Sequence, residues 1–181
     1  MKIASTIKVF ILLALCAFCF TSCTTESYAE KRNKEKKAWA DFKTANNLEI
    51  STDSAYCFNR ETPWPENLYF QTHRGAFVRL IKDDTNQRHP SEGNRTIIRF
   101  LSYDLNWNLI GGNTGTSSRE GEVSVYSPNG TDPCVGWNDV IPCLHHGSEA
   151  IMIIDSQLGP TDQQTNVITT IVHITDFSVA N

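Results

Sequence analysis

Apolar positions along this chain follow three successive rhythms, and each predicts a different kind of element. An unbroken apolar run, residues 9–20, comes first. Over residues 30–46 the apolar residues recur at helical spacing, with Ala38, Trp39, Phe42 and Ala45 opposite Lys31, Lys34 and Lys37. That period predicts an amphipathic helix, which Asn46-Asn47 ends. Beyond it the period shortens to two, the mark of strands. Residues 48–51 read as a first strand, and 54–65, with Pro63-Trp64-Pro65, as an irregular segment. The chain turns β-rich at Leu68. Residues 70–81 carry Phe77, Val78, Leu80 and Ile81, and 82–93 form a polar connection. Residues 96–105 form a strong strand, with Ile98 and Phe100 on one face and Ile97, Arg99 and Leu101 on the other. Residues 106–118 read as a Gly/Asn/Thr/Ser loop. Val123, Val125 and Tyr126 mark another strand, broken by Pro128-Asn129-Gly130. Gly136-Trp137 opens a short helix over 138–145, which Gly147 stops. A strand follows at 149–154, with Ala150, Met152 and Ile154 toward one face. After Leu158-Gly159-Pro160 the last strand sets Ile168, Thr170, Val172 and Ile174 on one face and runs to Phe177. One long helix, then antiparallel strands around one short helix, is an α+β arrangement.

The first run changes what the rest of the chain is for. Lys2 and Lys8 precede it, and its twelve residues are too few to span a bilayer. It leads into Phe20-Thr21-Ser22-Cys23, which resembles a bacterial lipoprotein signal. That resemblance implies a signal peptide over 1–22, lipid (palmitate) on Cys23 and a protein anchored in the cell envelope, on the inner or outer membrane, facing the periplasm or the surface. Residues 24–29 read as a tether. The chain then divides into 23–47 (tether and helix), 48–74 (a connecting strand and irregular segment) and a domain over 75–181. Without Lys2 and Lys8, fourteen of the 16 basic residues face 20 acidic ones, a net charge of −6. That balance argues against nucleic acid as a partner. The run Lys31-Arg32-Asn33-Lys34-Glu35-Lys36-Lys37 fits lipid headgroups, and better fits a solvated helix face. Cys57, Cys134 and Cys143 remain after processing. A Cys134–Cys143 disulfide is excluded by their separation along the predicted helix. Cys57 bonded to either one, or three unpaired thiols, both fit.

Three stretches in order resemble the FKBP-type peptidyl-prolyl isomerases: GAFVRLIKDDT from Gly75, GNRTIIRFLSYDLNWNLI from Gly93, and EVSVYSPNGTDPCVGW from Glu122. The Trp137-to-Gly147 spacing matches the family as well. The resemblance covers residues 75–177 and implies an FKBP-like antiparallel sheet wrapped around one short helix, preceded here by an N-terminal helix. It also implies a shallow apolar cup for X-Pro segments of exported proteins, and no cofactor. The X-Pro amide has a rotational barrier of ~18–20 kcal/mol. Such a cup lowers it by desolvation and shape, so no nucleophile or strong base is expected. A helix and FKBP-like domain behind a lipid anchor is also similar to a group of Bacteroidota lipoproteins.

Carried over residue by residue, the resemblance places Trp137 at the cup floor. Phe100 stands for the strand tyrosine and Ile110 for the loop phenylalanine, with Gly111 where the family has aspartate. Ser124 and Thr170 stand where the family has phenylalanines. Cys134 offers its backbone N–H to a bound peptide, and Pro160 replaces a tyrosine. The segment after it, 161–166, is a shortened flap. The candidate pocket is therefore Phe100, Ile110, Trp137, Cys134, Pro160 and Thr170. The losses imply weak or absent isomerase activity, and a non-catalytic interaction module on the same scaffold is the alternative. Trp137, Phe100 and Ile110 also fit plain core packing. The second reading would use the N-terminal helix or Pro63-Trp64-Pro65 as its contact surface. A glycan or small-ligand site would need exposed aromatics besides Trp64 and Trp107. No CxxC or metal-type Cys/His spacing occurs, so no metal is expected, and His145-His146 reads as a helix-end pair. Residues 66–71 match the recognition hexapeptide of a plant potyvirus protease, which predicts cleavage after Gln71.

Overall fold

The computed structural model describes residues 26–113 and 122–180. The predicted signal and Cys23 lie outside the described residues. Helix α1 spans Tyr28–Ala45 and starts in a capping box between Ser27 and Glu30. The strands are β1 (Glu49–Ser51), β2 (Leu68–Gln71), β3 (Phe77–Lys82), β4 (Arg95–Tyr103), β5 (Leu109–Asn113), β6 (Glu122–Val125), β7 (Glu149–Ile154) and β8 (Thr170–Val179). They form one sheet in the order β1-β2-β3-β7-β8-β4-β5, with β6 also paired to β4. The fold is α+β, as the pattern predicts. The sheet is antiparallel except at one edge, where β1 runs parallel to β2.

The sheet is buried on both faces, because its central strands are apolar at successive positions rather than alternate ones. In β7, Ala150, Met152 and Ile154 point into one cluster, with Ile98, Val172, Ile174, Trp137 and Val140. Ile151 and Ile153 point into the other, with Phe42, Tyr69, Phe77 and Ile171. Helix α3 (Val135–Val140) fills the first face, and α1 covers the second. The inward stripe of α1 is not the predicted one: Ala38 and Ala45 are exposed, while Arg32, Glu35, Trp39 and Phe42 turn toward the sheet. Glu35 is 6 % exposed. It accepts hydrogen bonds from the Ser156 N–H (3.0 Å), the Ser156 hydroxyl (3.0 Å) and the Thr169 hydroxyl (2.7 Å), and pairs with Arg32. The basic run is thus only partly a solvated face.

Other boundaries differ for local reasons. Residues 54–65 are not wholly irregular: helix α2 (Ser54–Phe58) forms where the Asp53 carboxylate caps the Tyr56 N–H. Trp64 is 1 % exposed, its ring edge-on to Phe58 at 5.2 Å, so it is core rather than a contact surface. Residues 70–81 split into β2 and β3 at a turn held by Gly75, at φ +105°, and by the Asp139 carboxylate, which accepts from the Thr72 hydroxyl and the Arg74 N–H. The predicted loop 106–118 contains β5. The short helix begins at Val135 and gives way to a 3-10 turn over Ile141–Cys143, because Pro142 lacks the N–H that an α-helix needs. The 161–166 flap is a short helix, α4 (Thr161–Asn166). Ile168 lies before β8 and is 38 % exposed, so it does not join the inward row. The protease-like hexapeptide runs through β2, with Leu68 and Tyr69 buried between two neighbouring strands. Cleavage after Gln71 therefore requires the sheet to open. Among the described residues no helix is long and apolar enough to cross a membrane.

Candidate functional site

Trp137 owes its position to the glycine before it. A Cβ on Gly136 would lie 2.6 Å from Ile154 Cγ2 and 3.2 Å from the Leu158 carbonyl oxygen. Only glycine lets α3 come this close to β7. Phe100 is aimed by β4, whose register against β8 shifts between Arg99 and Phe100. Such a shift re-aims side chains locally. The two rings meet edge to face, centroids 4.8 Å apart at 87°, a geometry favoured by the ring quadrupoles. Trp137 is 6 % exposed, and Phe100 is half-buried.

The other candidate residues divide. Cys134 is buried in the same cluster and occupies the N-cap position of α3, where its side chain makes no capping hydrogen bond. Burial pushes that thiol up to about 11. Thr170 is fully buried and its hydroxyl donates to Gln163 Oε1 at 3.2 Å, which ties β8 to α4. Pro160 precedes α4 and is half-buried. Ile110 does not face the rings from inside the core: it lies on β5 and is 51 % exposed. Ser124, at a position of a family ring, is buried and donates to the Asp132 carbonyl at 2.8 Å.

Two residues at the site carried no signal in the sequence. Tyr126 is 7 % exposed in the same cluster, and burial raises its hydroxyl above the ordinary value. Asn138 is 1 % exposed and latches the loop before α3: its amide donates to the carbonyls of Asp132 (2.8 Å) and Cys134 (3.2 Å). An isolated asparagine in a short helix has no pattern that distinguishes a buried latch from a surface residue. The raised Cys134 and Tyr126 groups stay protonated at neutral pH. The ring pair and these neighbours form an uncharged apolar cluster, unsuited to proton transfer.

His145 is not a free helix-end imidazole. Its Nδ1 lies 2.8 Å from Asp83 Oδ2, and the Ser148 hydroxyl donates to the same carboxylate. The aspartate carboxylate and the His145 backbone, not the imidazole, hold the serine, and Ser148 is fully buried. Nucleophilic activation needs the base on the hydroxyl, so this cluster ties β3 to the start of β7 instead. His146 Nδ1 accepts the Val179 N–H at 3.1 Å. Cys57, Cys134 and Cys143 are all free thiols, which settles the open pairing.

This architecture is FKBP-like. Among solved structures it is similar to a DUF4827 family protein from Parabacteroides distasonis, with a TM-score of 0.63 and 19 % identity over 85 % of this chain and 97 % of that one. It is also similar to a peptidyl-prolyl cis-trans isomerase from Pseudomonas syringae pv. tomato, with a TM-score of 0.51 and 10 % identity over 87 % of this chain and 97 % of that one. At these identities the likeness is one of fold. No family model and no curated protein matches the sequence.

Proposed function

We propose that this chain is a cell-envelope lipoprotein whose FKBP-like domain binds proline-containing or extended segments of exported proteins, with isomerase activity weak or lost. The observation that carries the reading is the uncharged Phe100–Trp137 ring pair, Trp137 buried and Phe100 half-buried, held by α3 and β4 on an FKBP-like sheet. The same geometry argues for reduced catalysis. Ser124 and Thr170 spend their hydroxyls on protein acceptors, and Ile110 stands in solvent. Each missing ring contact or hydrogen bond removes about 1 kcal/mol, and about 1.4 kcal/mol is tenfold in rate. Lipid on Cys23 supplies the anchor, and the acidic mature chain leaves anionic surfaces to that lipid alone.

A protease-free prolyl isomerisation assay on the chain from Thr24 tests the first part, with Trp137→Leu and Phe100→Leu beside it. Catalysis that disappears in folded variants establishes an isomerase. Absence of catalysis with retained peptide binding fits the proposal, and absence of both removes the cup as a site. The anchor is checked by fractionation: Cys23→Ser leaves the membrane fraction, and a variant that stays there contradicts lipidation.

A further inference from the structure

On the sheet face opposite Trp137, the tip of the β4–β5 hairpin holds Trp107 at φ +62° and 47 % exposed. A bulky residue rarely adopts this left-handed conformation, and asparagine tolerates it far better. The chain has Asn106 and Asn108 on either side, yet places the tryptophan there. The turn is rigid. Asp104 accepts from the Asn106 N–H (2.8 Å), the Asn108 N–H (2.9 Å) and the Asn108 amide (2.8 Å). Tyr103 supports the indole at 5.6 Å between centroids. An apolar ring is thus fixed facing solvent.

Beside it lies a groove of about 630 Å³, lined by Trp107, Arg79, Tyr69, Asn46, Asn47 and Asn67 among others. That is within the usual ~300–1,000 Å³ of small-molecule sites. Arg79 Nε is buried without a hydrogen-bond partner, and no carboxylate among the described residues forms an ion pair with Arg79. Glu66 also lines the groove. The guanidinium also meets the Tyr69 hydroxyl, and its remaining donors, the unpartnered Nε–H among them, match a carboxylate. The Asn46 and Asn67 amide nitrogens each give one N–H to a carbonyl, of Phe42 (2.9 Å) and Asn47 (2.9 Å), which fixes the side-chain amides in the groove. Their amide oxygens are then the groups that can accept from hydroxyls.

We propose that this groove binds a carboxylate-bearing sugar, its apolar ring face on the single exposed indole of Trp107, its hydroxyls on the asparagine oxygens and its carboxylate on Arg79, the charge standing in for the second exposed aromatic that a neutral glycan would need. A pyranose combines these three features in one small ring. An aromatic acid would leave the amide acceptors unused, and a neutral sugar would leave Arg79 without its anion.

Glucuronate and glucose, titrated into the chain from Thr24 (which contains every described residue) and followed by backbone and indole NMR shifts, test this directly. Glucuronate shifts the signals of Trp107, Asn46 and Asn67, and glucose binds at least about tenfold more weakly. Trp107→Ala, at an exposed site, loses both sugars. Arg79→Gln abolishes the preference, and Asn67→Asp weakens glucuronate without weakening glucose. No groove shifts with either sugar, or equal affinities for the two in the wild type, would overturn the proposal, as would a preference that survives Arg79→Gln.

Discussion

Glu35 shows how one residue can be invisible in a pattern and central in a structure. It sits among Lys31, Lys34, Lys36 and Lys37, so its charge reads as part of a solvated face. The fold instead encloses it, and its carboxylate gathers Ser156, Thr169 and Arg32 around the end of β7 and the start of β8. Replacing it strands the buried Ser156 N–H and Thr169 hydroxyl, while Arg32 keeps Asp155 (3.0 Å) and the Ser156 hydroxyl (2.8 Å). Removing one member of a buried ionic network costs about 3–5 kcal/mol. Glu35→Ala is therefore expected to destabilise the protein by about 3 kcal/mol in urea unfolding, with faster amide exchange in α1 than in β7. An unchanged midpoint and uniform exchange would mean the network contributes nothing to docking the helix. Trp64 is the converse case. Flanked by prolines it resembles an exposed loop aromatic, but its backbone N–H donates to the Leu80 carbonyl at 3.0 Å and its ring seals the core.

Among the elements, β4, β7 and most of β8, whose side chains repeat against a large apolar surface, were legible, as was the extent of α1 though not the face it buries. Those that failed are short or built on backbone. Helix α2 has five residues and rests on one aspartate cap, too little for any period to register. Strand β5 contains Gly111 and Gly112 and exposes Leu109 and Ile110, so composition says loop. It is a strand because Phe100, Leu101, Ser102 and Tyr103 of β4 supply backbone partners. That pairing also explains Ile110, which resemblance to a loop phenylalanine sent toward the cup and β5 carries into solvent. The ring pair was legible only through the family resemblance, which put Trp137 on a cup floor and Phe100 on the strand beside it. Its surroundings, Tyr126 and the Asn138 latch, depend on where the preceding loop folds back.

At the scale of the whole molecule, one sheet with two buried faces makes the domain and its N-terminal helix a single packing problem, and the cysteines report on it. Burial pushes the Cys134 thiol up to about 11 and the Cys143 thiol up to about 12, from an ordinary 9.0. Cys57 is raised in the same direction by burial. In the unfolded chain these thiols lose their protons near the ordinary value, while the folded chain still holds them. Above that value the unfolded state binds fewer protons, so stability falls as pH rises. The contribution is complete below 9.0 and is lost progressively through the folded values of about 11 and about 12. Tyr69 and Tyr126, also raised by burial, extend the loss in the same direction. Urea titrations across this window should show midpoints that fall steadily with pH, and they should be flat from there down to neutrality as far as these groups are concerned. The thiolate is the reactive form, so a thiol reagent at neutral pH should modify the native chain from Thr24 slowly and Cys57, Cys134 and Cys143 of its unfolded form rapidly. Stability that stays level up to about 11, or rapid labelling of Cys134 in the native state, would show that α3 opens far more readily than its packing around Gly136 and Ile154 implies.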